Sequence, residues 1–103
     1  MTRNEILEAA KKCVSGDREQ DYGSPENNFK RIGALWTAYL LGDAMYDQPE
    51  VELITPEDVA AMLALLKIAR IGSGHAKEDN WIDLAGYAAC GGEIETEEKS
   101  YED

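Results

Sequence analysis

Residues 56–71 read PEDVAAMLALLKIARI, and at about 100° of rotation per residue no side of such a helix stays polar along its length. Val59, Leu63 and Leu66 fall on one side, while Met62, Leu65, Ile68 and Ala69 fall on the others. A helix that is apolar all round is normally enclosed by neighbours. A chain of 103 residues has few other helices to enclose it with, because small domains bury only a modest share of their surface. The expectation is a homo-oligomer, either a dimer or a tetramer. Lys67 and Arg70 sit near the helix end, three residues apart and therefore surface neighbours. Cations on so apolar a helix need partners.

The net charge of −11 argues against nucleic acid as a partner, which calls for a basic face, and against anionic membrane surfaces. A small anion responds to a local basic pocket instead of to net charge, so that class stays open. No apolar run approaches the roughly 18 residues of a membrane span, and the first residues lack a signal-peptide hydrophobic region. A soluble, cytoplasmic protein is expected. Cys13 and Cys90 have no metal-ligand spacing and sit among helical apolar neighbours, which predicts buried, reduced thiols.

Taken in order, Thr2 and Glu5 form a capping box for a first helix to about Ser15. A polar connector follows, in which Asp21, Tyr22 and Gly23 stand out as a turn with a flat ring. Ser24 caps a second helix with Pro25 in its first turn, and Phe29, Ile32, Trp36, Tyr39 and Leu40 mark one buried face up to Gly42. Thr55, Pro56 and Asp58 start the third helix, which should stop near Gly72. A Gly-Ser-Gly-His connector leads to a fourth, from about Glu78 to Cys90, closed by Gly91 and Gly92. The remaining EIETEEKSYED has six acids and little to bury. Residues 1–92 thus read as a single all-α domain, a four-helix bundle, and 93–103 as an acidic, flexible tail.

Helices joined by a short loop default to an antiparallel hairpin. Residues of the third and fourth helices whose numbers sum to about 150 then lie level, which sets Asp83 beside Lys67 and Asp79 beside Arg70. Asn80 and Tyr87 flank that stripe. Two interhelical ion pairs are one complete explanation of this arrangement. The other is a site: Asp79 and Asp83 share a Mg²⁺ ion, and Lys67 and Arg70 meet phosphate oxygens. Asp58 is a third ligand only if another chain supplies it, since it lies roughly 13 Å along the axis from Lys67.

The run DVAAMLALLKIARI, then DNWIDLAGYAA, preceded by DYGSPENNF and LWTAYL, resembles a family of small phage and prophage proteins of unknown function. The resemblance covers nearly everything from Asp21 to Ala89. That family is similar in turn to the MazG-like all-α nucleoside triphosphate pyrophosphohydrolases. The resemblance implies a MazG-like bundle completed by homo-oligomerisation, a nucleotide ligand, a bacterial host cytoplasm, and Mg²⁺ if catalysis occurs. The acid-rich late helix of those enzymes corresponds best to Asp79 and Asp83. Their earlier paired glutamates have no counterpart on the Phe29–Leu40 helix.

Three functions follow as expectations. The first is a nucleotide-binding protein acting as a Mg²⁺-dependent pyrophosphohydrolase, with Asp79 and Asp83 catalytic, Asp58 added from another chain, and Tyr22 or Trp81 stacking on the base. The second is a non-catalytic binder that sequesters a linear or cyclic signalling nucleotide of host defence through Lys67, Arg70 and the aromatic residues. The third is an acidic interaction protein that inhibits a host factor.

Overall fold

Three of the helices begin where a side chain accepts the otherwise orphaned amides of the first turn. In the computed structural model, which describes residues 1–15, 24–74 and 77–100, α1 (Arg3–Ser15) opens on the expected capping box. The Glu5 amide donates to Thr2 Oγ1 at 3.1 Å and the Thr2 amide donates to the Glu5 carboxylate at 2.9 Å. The backbone bond from Thr2, and then its hydroxyl, hold the Glu5 carboxyl below the ordinary glutamate value by favouring its charged form. α2 (Pro25–Leu41) starts with Ser24 Oγ accepting from the Asn27 amide at 3.2 Å, and ends at Gly42, whose φ of 54° suits a residue without Cβ. A short 3-10 stretch, Gly42–Tyr46, follows. α3 (Pro56–Gly72) has a reciprocal Thr55–Asp58 box with both bonds at 3.1 Å, and α4 spans Glu78–Ser100. Among the described residues there are these four α-helices and no strand.

α3 and α4 run antiparallel in the register read from the sequence. Lys67 pairs with Asp83, and a Cβ on Gly91 would lie 2.9 Å from the Ala60 Cβ. α1 lies along α4, where Gly86 leaves room for Val14. α2 packs mainly on α3 and meets α4 near its own start, through Glu26 and Phe29. The core forms where α2 and the first half of α3 meet the second half of α4: Phe29, Val59, Ala60, Cys90 and Ile94 are buried, with Ile32, Trp36, Ile54, Leu63 and Tyr87 packed around them. The segment before α3 is held against α2 by two residues one turn apart. Thr37 Oγ1 accepts from the Ile54 amide at 2.9 Å, and Gly33 allows the Ile54 carbonyl within 2.6 Å of where a Cβ would stand.

Several expectations change. α4 does not stop at Gly91 and Gly92: it continues to Ser100, and Ile94, placed in the acidic tail by sequence, is buried in the core. Gly91 serves close packing on Ala60, which overrides its tendency to end a helix. Tyr39 and Leu40 are not buried but 86% and 59% exposed, because the face they extend runs past the helices that cover Phe29 and Gly33. α3 is not enclosed on all sides by its own chain, since Leu65, Leu66 and Ile68 are each at least half exposed. Cys13 and Cys90 are free thiols, the second buried and the first half-buried. No helix of the described residues is long and apolar enough to cross a membrane.

Candidate functional site

Lys67 lies on the stripe of α3 that faces α4, two turns on from the buried Ala60 and one turn on from the half-buried Ala64. The antiparallel register brings Asp83 of α4 to it, with Lys67 Nζ 2.9 Å from Asp83 Oδ2. The two side chains retain only 14% and 26% of their exposure. An ammonium has three donors, so this bond leaves two for another acceptor. Arg70, one turn further on the same helix, is exposed and forms no ion pair with another described residue. From Val59 to Lys77 the sequence holds no Asp or Glu, whereas Lys67, Arg70 and Lys77 all fall inside it. In a chain of net charge −11 such a stretch, like residues 27–42 with Lys30 and Arg31, can present a local potential that favours an anion.

The other expected residues do not converge on that pair. Asp79 is exposed and does not reach Arg70, so one of the two interhelical ion pairs forms and the other does not. Asn80 is buried, at 4% exposure. Tyr87 turns its ring toward Phe29, with centroids 6.4 Å apart at 52°, and is thereby part of the core. Trp81 is 48% exposed and keeps a face available for stacking. Tyr22 lies outside the described residues. Asp58 is exposed, and its carboxylate accepts from the Thr55 amide at the start of α3.

Mg²⁺ binds through one or two carboxylates in near-octahedral geometry. Asp83 is engaged by Lys67, Asp58 by a backbone amide, and within one chain Asp58, Asp79 and Asp83 do not gather. Where carboxylates do gather, among the described residues, is elsewhere: Glu26 at the start of α2 with Glu93 and Glu97 of α4, whose oxygens lie within 4.8 Å of one another. Two of the three are exposed, where water screens their mutual repulsion. The sequence reading missed this meeting because it ended α4 too early. The i, i+4 series Ile82, Gly86, Cys90, Ile94 runs straight through the glycines and was the signal that the helix continues.

A family model described as a domain of unknown function, DUF6378, matches residues 5–95. The chain is 46% identical over 83 residues to the Gene 55 protein of Mycobacterium phage L5, covering 81% of this chain and 47% of that protein. It is 41% identical over 86 residues to the Gene 55 protein of Mycobacterium phage D29, covering 82% of this chain and 50% of that protein. The chain thus spans about half the length of these curated relatives. No solved structure matches it.

Proposed function

We propose, for a chain that belongs to the DUF6378 family, the function of a phage-encoded, homo-oligomeric nucleotide-binding protein with a MazG-like bundle, which grips phosphate oxygens with Lys67 and Arg70. The observation that carries this reading is the Lys67 ammonium, fixed 2.9 Å from Asp83 at the α3–α4 seam, beside an arginine and within a stretch free of acids from residue 59 to 77. Asp83 orients the lysine, and Arg70 supplies a planar fork that can hold two oxygens at once. Trp81, exposed on α4, offers a platform for a base.

The binding version is favoured over the hydrolytic one because the carboxylates around this pair do not assemble a cation site within one chain. Hydrolysis requires acids supplied by a second subunit, with Mg²⁺ as the group they hold. The acidic-inhibitor version loses its simplest test, since cutting the chain after Gly92 also removes Ile94 from the core.

Calorimetric titration with a panel of linear and cyclic nucleotides, in EDTA and then in Mg²⁺, tests the proposal. At least one nucleotide should bind in EDTA and be recovered intact, and Lys67→Ala and Arg70→Ala should each weaken it by about tenfold, or ~1.4 kcal/mol. Folded protein that binds none of the panel overturns the reading. Release of pyrophosphate only in Mg²⁺ converts it to the hydrolytic version.

A further inference from the structure

α3 carries an apolar face that no described part of the chain covers. Met62, Leu65, Leu66 and Ile68 are 42%, 62%, 52% and 50% exposed, with exposed Ala61, Ala69 and Gly72 among them. Met62, Leu65, Ala69 and Gly72 follow one another at steps of three, four and three, the spacing of a seam between two helices. The four large side chains leave on the order of 400 Å² of apolar surface in water, within the range of the largest patch on a typical monomer, which is often functional. With the small residues between them, two such faces together approach the roughly 1,200 Å² at which specific interfaces begin. The radius of gyration, 15.5 Å, also exceeds the ~13 Å of a compact chain of this length.

The charges around this face say what fits it. Glu57 and Asp58 stand at its amino end, Arg70 and Lys77 lie toward or beyond its carboxyl end, and no acid falls between Asp58 and Glu78. A two-fold interface must be complementary to itself. A strip with opposite charges at its two ends meets that condition when turned end for end, whereas a wholly basic or wholly acidic partner would suit one end and clash with the other. The rest of this −11 chain repels a second copy.

We infer that this face pairs antiparallel with α3 of a second copy of this chain, about a two-fold axis near Leu65. Leu65 lies midway between Asp58 and Gly72, so the axis brings Asp58 level with the partner's Gly72, two residues past the partner's Arg70. Leu65 meets the partner's Leu65. The inference rests on the oligomeric part of the proposed function and not on the ligand. A protein that dimerises but binds no nucleotide leaves it standing, and one that binds nucleotide as a monomer sinks it alone.

Sedimentation and light scattering of the full chain at about 100 μM, far above the dissociation constant of a typical specific interface, provide the first test. The expected species is twice the 11.4 kDa chain mass, or a tetramer. Leu65→Glu, which sets two carboxylates against each other at the axis, should reduce a dimer to monomer or a tetramer to dimer, with helical circular dichroism unchanged. A second measurement does not depend on that variant folding: oxidised Leu65→Cys should give a disulfide-linked dimer, and Leu35→Cys, 64% exposed on α2, should not. A monomeric wild type, an assembly unchanged by Leu65→Glu, or equal cross-linking at both positions would overturn the inference, the first meaning that something other than a second copy covers the face.

Discussion

Val59 and Leu65 lie six residues apart on one helix of nearly uniform apolar composition, yet Val59 is wholly enclosed and Leu65 is 62% exposed. The first half of α3 sits between α2 and α4, with Gly33 and Gly91 letting both neighbours approach closely. In the second half Lys67 reaches Asp83 of α4, and Leu65, Leu66 and Ile68 are each at least half exposed. Identical side-chain chemistry thus does two jobs, holding the fold in one half and presenting a surface in the other. The difference teaches that apolar composition alone does not decide which residues a chain buries.

The largest test of this contrast places a carboxylate in each half. Val59→Asp buries an unpaired charge and should cost about 3–5 kcal/mol of folding free energy, read from urea unfolding. Leu65→Asp should cost under about 1 kcal/mol when measured at concentrations too low for association. Equal losses would break the comparison.

A smaller effect sharpens it at the helix contact. Gly91→Ala puts a Cβ 2.9 Å from that of Ala60 and should cost about 1–3 kcal/mol through overpacking. Ala60→Gly in the same chain should recover part of the loss in a double-mutant cycle. Gly92→Ala, where a Cβ meets nothing within 4 Å, should instead stabilise the helix by about 0.5–1 kcal/mol. An effect of similar size to that of Gly92→Ala belongs to the open half. Replacing Lys67 with Met leaves the Asp83 carboxylate, still 26% exposed, without its partner; partial solvent screening limits the expected loss to about 1 kcal/mol in thermal melts.

One contact of the candidate site, Lys67 with Asp83, was legible before any coordinates. The sum-to-150 register of the hairpin placed Lys67 opposite Asp83 because helix rise and antiparallel pairing are set by backbone geometry alone. It failed for Arg70 and Asp79 because level height does not set the direction of a long exposed side chain, and water competes for both groups. Tyr87, which its spacing sets beside the Lys67–Asp83 stripe, packs against the core, since Phe29 of a distant segment lies against its ring. Thr37, 1% exposed and bonded to the Ile54 amide, gave no sign in the sequence because its partner is a backbone group seventeen residues away.

By itself the sequence determined where α1, α2 and α3 begin, through Thr2, Ser24 and Thr55, because a cap is satisfied by atoms three residues away and needs nothing from the rest of the chain. It also determined that α3 is apolar along its whole length. Which side of α3 its own chain covers, that α4 passes through Gly91 to bury Ile94, and that Glu26 comes near Glu93 and Glu97 were decided only in three dimensions. Those outcomes depend on how closely and how far neighbouring helices reach, and reach is a property of packed elements and not of residue order.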